Sequence, residues 1–149
     1  MLWLLRHADA APGERDELRP LTEKGLAQAR VAGRALARLG VEIDVCLTSP
    51  RLRAVQTARH ACEPLGLEPE VQRALDGGSE FDATALAAGR GEVLIVGHNP
   101  TISIALADLT GARVRFRKGG LAAVSDGELV ALLGPAQLRA IADGGGTPA

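Results

Sequence analysis

Three short apolar stretches, residues 1–5 (MLWLL), the run within 41–47 and residues 92–96 (EVLIV), are each followed at once by a polar or Pro-containing turn, with helical patterns between them. Runs of this length without polar alternation suit strands buried on both faces, as in a parallel sheet covered by helices. The alternation predicts an α/β fold, a three-layer α/β/α sandwich with a mostly parallel central sheet. In such a sheet the strand ends that precede helices share one edge, and ligands bind there.

The connecting segments carry their own signals. Thr22 is a candidate N-cap with Glu23 in the first turn, and Leu26, Ala29, Gly33, Leu36 and Ala37 recur at helical spacing until Gly40. Arg30, Arg34 and Arg38 fall on another face and read as solvated surface. Ser49 before Pro50 marks a second helix start, with Leu52, Val55, Cys62 and Leu65 on its apolar side. Asn99 before Pro100 marks another, reaching about residue 109. Residues 8–21 and 66–80 read as loops, with a short extended piece at 70–72, and 81–88 as a short helix. The remainder predicts a strand around 113–116, a turn at Gly119-Gly120, strands near 121–124 and 129–133, and a helix over 135–142. No repeat or linker divides the chain, so residues 1–143 are expected to form one domain and 144–149 a disordered tail.

Composition excludes several classes. A chain of 149 residues can bury a core without staples, so Cys46 and Cys62 are expected to be reduced thiols rather than a disulfide framework. Lys+Arg number 17 and Asp+Glu 18, which argues against a general nucleic-acid binder. Trp3, Phe81 and Phe116 are the whole aromatic content, too little for stacking nucleic-acid bases or a sugar. The apolar stretch before Arg6 is too short for a signal peptide or a membrane span, so a cytoplasmic location is expected. Only Lys24 and Lys118 are lysines; coding bias accounts for most of the arginines, and the useful ones are those an anion could reach. Near-neutral charge thus excludes a broad anion-binding surface but allows one small, concentrated anion site.

Arg6-His7, Thr48-Ser49-Pro50-Arg51-Leu52-Arg53 and Gly97-His98-Asn99-Pro100 follow the three strands. The fold class therefore gathers two of the three histidines, several arginines and two helix starts on one edge. Those are the parts of a phosphate site: arginine forks, free helix N–H groups and an imidazole able to attack phosphorus. His60, two turns beyond Arg53, reads as structural.

Leu5-Arg6-His7-Ala8-Asp9 resembles the signature region of the histidine phosphatase superfamily, the phosphoglycerate mutase-like proteins. The segment Thr48-Ser49-Pro50-Arg51-Leu52-Arg53-Ala54-Val55-Gln56-Thr57-Ala58 is similar to its second motif, and Val96-Gly97-His98-Asn99-Pro100 to its third. With Arg19-Pro20-Leu21-Thr22-Glu23-Lys24-Gly25 and Lys118-Gly119-Gly120-Leu121, the chain resembles the small SixA-type phosphohistidine phosphatase branch over residues 1 to about 134. The resemblance implies a phosphoglycerate mutase-like fold. It also implies that His7 is the nucleophile and becomes transiently phosphorylated, while Arg6, Arg53 and His98 hold the phosphoryl oxygens. No metal or other cofactor is implied. Arg51 is expected at the rim. Ser49 and Asn99 are candidate substrate contacts, each with an equally good role as a helix cap.

Two departures matter. Ala8 stands where many members have Gly, a modest change unless the position needs a positive φ. Larger relatives also supply a carboxylic acid from an insert, whereas the corresponding stretch, Asp76-Gly77-Gly78-Ser79-Glu80-Phe81-Asp82, matches no such motif; Glu80, Asp76 and Asp9 are the possible donors. An imidazole leaving group, with a conjugate acid near neutrality at about 6.5, needs less help than an alkoxide. The expected substrate is therefore phosphohistidine on a protein, such as a phosphotransfer or signalling protein, reached by a shallow open site. The alternatives are the same chemistry on a sugar phosphate or nucleotide, and a phosphate-binding module without catalysis. The last lacks G-x-G-x-x-G after the first strand and G-x-x-x-x-G-K-[ST] anywhere. A metal hydrolase built on His7-Ala8-Asp9 has no second cluster to complete it.

Overall fold

The computed structural model describes residues 1–144, so the tail expected at 144–149 lies, from residue 145 on, outside the described residues. The elements run β1 (Leu2–Arg6), a 3-10 turn (Asp16–Leu18), α1 (Glu23–Arg38), β2 (Val45–Thr48) and α2 (Leu52–Cys62), which passes into a 3-10 turn at Glu63–Leu65. β3 (Glu70–Val71), a 3-10 turn (Arg73–Leu75), α3 (Ala83–Ala87), β4 (Val93–Gly97) and α4 (Thr101–Thr110) follow. β5 (Leu121–Ser125), β6 (Glu128–Leu133) and α5 (Pro135–Ala142) complete the described chain.

Six strands form one sheet in the order β3-β2-β4-β1-β5-β6. β3, β2, β4 and β1 are parallel, because helices or longer connections carry the chain back between them. β5 and β6 run antiparallel through a two-residue turn, and β5 pairs antiparallel with β1. The sheet is thus mixed but mostly parallel.

Strand alternation divides the core in two. Trp3, Leu5, Cys46, Leu94, Val96, Leu121 and Ala123 face α1, α2 and α5, meeting Val31, Leu36, Ala58 and Leu138. Leu4, Leu47, Val93, Ile95, Ala122 and Val124 face α3 and α4, meeting Ala83, Ile102, Leu106 and also Phe116. The expected three layers are present. β4 is buried along its whole length, and a Leu or Ile to Ala change in such a strand costs about 2–5 kcal/mol. Cys46 and Cys62 are free and buried, behaving as small apolar residues. No described helix is long and apolar enough to cross a membrane.

α1 begins as the sequence indicates: Thr22 Oγ1 accepts from the Gly25 N–H at 3.0 Å. A Cβ on Gly25 would stand 2.0 Å from the Asp9 carbonyl oxygen, so only glycine lets this turn close on the loop after β1. Three local expectations need correction. α2 starts at Leu52 rather than Pro50, since Arg51 is extended and Ser49 Oγ accepts from the Arg51 N–H at 3.1 Å instead of capping the helix. α4 starts at Thr101 with Pro100 as N-cap; the side chain of Asn99 accepts from Ser103 Oγ at 2.5 Å rather than from a backbone amide. Residues 113–116 are not a strand, because β5 already occupies the edge beside β1.

Candidate active site

Sheet register builds the site. Arg6 lies opposite Gly97 and Thr48 opposite Val96, so β1, β4 and β2 end side by side. Just beyond them, the His7 N–H donates to the Gly97 carbonyl at 2.9 Å and the Ser49 N–H to the Val96 carbonyl at 3.1 Å. The His7 and His98 rings consequently face each other with centroids 5.2 Å apart at 53°.

His7 is oriented through its own backbone. Nδ1 lies 2.8 Å from the Ala8 carbonyl oxygen, which can only accept, so Nδ1 carries the proton and Nε2 keeps its lone pair. The Ala8 N–H donates to Thr57 Oγ1 at 3.0 Å, and the Thr57 hydroxyl donates to the Arg53 carbonyl at 2.7 Å. Ala8, whose carbonyl aims His7, is therefore tied to α2 through its N–H. Asp126 is the one non-glycine residue with positive φ among those described, so Ala8 takes its place without strain. Burial, helped by the positive charges of Arg53, Arg6 and Lys118, pushes His7 down to about 4 despite its bond to the Ala8 carbonyl. The ring is neutral at pH 7, as attack requires.

His98 has the complementary arrangement. Its Nε2 lies 2.7 Å from Ser49 Oγ. Ser49 Oγ also accepts from the Arg51 N–H; with the Ser49 hydroxyl proton turned to Nε2, the ring carries its own proton on the unpaired Nδ1 as an N–H donor. Burial first, then His7, Arg53 and Arg51, lower His98 to about 3, so it donates as a neutral ring. Gly77, at φ +90, lies flat against that ring, where a Cβ would stand 3.2 Å from Cδ2.

Arg6 Nη1 donates to the Phe116 carbonyl at 2.8 Å, and Arg53 Nη1 donates to the Asp16 carbonyl at 2.8 Å. Burial lowers the Arg6 guanidinium. Four buried side-chain nitrogens lack a partner among the described residues: Arg6 Nε, Arg53 Nε, His98 Nδ1 and His60 Nδ1. His60 is elsewhere, 3.7 Å from Glu63 on the outer side of α2. The other three belong to residues around His7: the His98 ring is 5.2 Å from it, and the charges of Arg53 and Arg6 act on it. A buried unpaired donor costs about 1–3 kcal/mol, and an anion with oxygens on several sides would satisfy all three at once.

Asp16 was invisible to motif spacing. Its carboxylate pairs with Arg53 Nη2 at 3.1 Å, with Arg51 Nη1 and with Arg19 Nη1 at 3.1 Å. Arg19 above all, with Arg53 and Arg51, holds it below the usual carboxylate range. Thr57 and the Phe116 carbonyl were likewise missed; Thr57 had a local signal, a buried hydroxyl four residues after Arg53 on a helix. Arg51 is half-buried, with Nε donating to the Asp76 carbonyl at 2.5 Å. Asn99 is exposed and bonded to Ser103, and among the described residues it makes no hydrogen bond to either central imidazole.

The three carboxyl candidates differ. Asp9 Oδ2 accepts from Thr22 Oγ1 at 2.7 Å and Oδ1 lies 3.8 Å from Lys118 Nζ. Asp76 Oδ1 accepts from the Gly78 N–H at 2.7 Å, next to the glycine that packs on His98. Glu80 lines a separate surface cavity of about 380 Å³ with Asp82 and Asp108. Among the described residues no three His, Cys, Asp or Glu side chains are grouped as a metal site needs.

Residues 2–78 match the family model described as histidine phosphatase superfamily (branch 1). The phosphohistidine phosphatase SixA of Escherichia coli (strain K12) is 32% identical over 117 residues, covering 72% of this chain and 73% of that one. An uncharacterized protein from Picosynechococcus sp. is 33% identical over 141 residues, covering 85% of each. The solved structure of the protein histidine phosphatase SixA complexed with tungstate superposes with a TM-score of 0.79 at 28% identity, covering 92% of this chain and 98% of that one.

Proposed function

The chain belongs to the histidine phosphatase superfamily and is a phosphatase; from that premise we propose that it hydrolyses phosphohistidine on a protein of the cytoplasm, through a covalent intermediate on His7 and without a metal. The observation that carries this reading is that Arg6 Nε, Arg53 Nε and His98 Nδ1 are buried and unpaired on the residues whose charge or ring acts on His7, an imidazole whose Nδ1 is held by the Ala8 carbonyl.

In the first step the lone pair on His7 Nε2 attacks phosphorus, and the P–N bond to the substrate imidazole breaks. The departing ring nitrogen keeps the bonding pair and takes a proton from solvent. Arg6, Arg53 and His98 donate to the phosphoryl oxygens. In the second step water attacks the phosphoryl group, the P–N bond to His7 breaks, Nε2 recovers its lone pair and inorganic phosphate leaves. The first step exchanges one P–N bond for another of the same kind, so positioning and electrostatic stabilisation supply the rate.

Two of the three carboxyl candidates are engaged or distant, which favours phosphohistidine over a phosphoester. Asp9 is occupied by Thr22 and Lys118, and Glu80 lies in another cavity. Asp76 adjoins the His98-packing Gly77, so it is the group an alkyl phosphate would have to use. The test is a panel of phosphohistidine peptides, sugar phosphates and nucleotides, with and without chelator. Phosphohistidine should be preferred, at a rate indifferent to chelator. Preference for an alkyl phosphate that is lost in Asp76→Asn contradicts the assignment.

A further inference from the structure

A cavity of about 780 Å³ adjoins this site through Arg6 and is lined by the first turns of α1 and α5 and by the segment before β5. Its charged residues are Arg6, Lys24, Arg115, Arg117, Lys118 and Asp9. Lys118 lies 3.8 Å from Asp9. Arg6, Lys24, Arg115 and Arg117 have no acidic partner among the described residues, whereas on the other side of the site Arg19, Arg51 and Arg53 share Asp16. This groove is a second concentration of positive charge, hidden in the net charge of -1.

We infer that the groove docks acidic side chains flanking the phosphohistidine of a protein substrate, and so orients that substrate on the site. The inference rests on the phosphohistidine reading above. Dispersion of the charge decides between a protein and a second small anion. A compact phosphate is held by buried donors, and among the described residues none of the buried unpaired side-chain nitrogens belongs to Lys24, Arg115 or Arg117. Lys24, Arg115 and Arg117 are exposed, on long side chains from two separate elements. Such a spread suits several carboxylates on a surface and yields long-range attraction rather than one tight contact.

Two phosphohistidine peptides of equal length, one flanked by Asp and Glu and one by Ser and Asn, test the inference with the full chain. The acidic peptide should have kcat/KM about tenfold higher, carried by KM and shrinking as salt is raised. A Lys24→Ser/Arg115→Ser/Arg117→Ser variant should lose that preference while hydrolysing the neutral peptide with unchanged kcat. Lys24→Glu alone, on an exposed first turn, should move the same way should the triple variant not fold. Equal kcat/KM for the two peptides, or a preference that survives the triple variant, overturns the inference. Preference for a nucleotide or bisphosphate, with no gain for the acidic peptide, makes the groove a small-molecule subsite and also overturns it. Hydrolysis of neither peptide contradicts the functional reading instead. Docking is then decided by fluorescence anisotropy with a labelled Glu-rich peptide lacking phosphohistidine: binding to wild type but not to the triple variant upholds it, and absence of binding sinks it.

Discussion

On one side of the His7–His98 pair, Arg19, Arg51 and Arg53 converge on the carboxylate of Asp16; on the other, Arg6, Lys24, Arg115 and Arg117 border an open groove with no acidic partner among the described residues. Both sides are basic, but only the first has its counter-charge built in. An exposed ion pair contributes about 0–1 kcal/mol, and the Asp16 side chain is half exposed, so stability is a poor account of it. What Asp16 does supply is direction, since its backbone carbonyl holds Nη1 and its carboxylate Nη2 of the Arg53 guanidinium, leaving the buried Nε unpaired. On the open side only Arg6 is so fixed, by the Phe116 carbonyl; Lys24, Arg115 and Arg117 are exposed and keep their field. One flank is built for geometry at the reacting phosphoryl group and the other for attraction at a distance.

The largest expected contrast between the flanks is catalytic. Arg53→Ala should lower kcat on a neutral phosphohistidine peptide about 10²–10³-fold, the range for removing one preorganised donor. Arg115→Ala should change it less than about threefold, because an exposed charge acts mainly on encounter. Steady-state kinetics on the two variants decide this, and comparable losses would erase the distinction between the flanks.

Asp16→Asn comes next. The amide keeps the size of the side chain but loses the charge that gathers three arginines, so kcat should fall about tenfold as Arg53 loses its fixed edge. Preference for an acidic peptide should persist, since it belongs to the other flank. A variant faster than wild type would mean that Asp16 competes with phosphate for Arg53 and would invert the interpretation of this side.

Stability should also depend on pH, through the two imidazoles rather than through either basic flank. His7 and His98 titrate near 6.5 when unfolded but at about 4 and about 3 when folded, so the unfolded chain binds more protons between those values. Lowering pH from 6.5 toward 4 therefore favours unfolding, by up to about 1.4 kcal/mol per pH unit for each histidine. Asp16, held below the usual carboxylate range, contributes stability that is lost only at still lower pH. Denaturant midpoints should drop across this window. Inorganic phosphate, by favouring protonated neighbours, should flatten the slope. A midpoint independent of pH contradicts the buried neutral imidazoles.

Much of this arrangement could be read in the chain because it is local. Apolar runs ending at Arg6-His7, Thr48-Ser49 and Gly97-His98 placed the three segments on one sheet edge, and the register of β1, β4 and β2 brings their ends together. The Thr22 cap likewise needs only its own helix. The Asp16 cluster depends on residues 35 and 37 positions away, for which no periodicity exists. The start of α2 differs from that reading for a related reason: the hydroxyl of Ser49, a good cap in isolation, is paired with His98, 49 residues distant. Tertiary contacts likewise denied residues 113–116 a strand, and the Phe116 carbonyl became an acceptor for Arg6. The open groove was hidden because its cations come from opposite ends of the chain and are balanced in the total by acids elsewhere.

The central claim is that His7 carries the phosphoryl group. Rapid acid-free quenching of the full chain with labelled phosphohistidine peptide, followed by peptide mapping, measures this directly. The account predicts label on His7, stable in base and labile in acid, present in wild type and absent from His7→Ala, which should also lose turnover. Label on His98, or undiminished hydrolysis and labelling in His7→Ala, would contradict it.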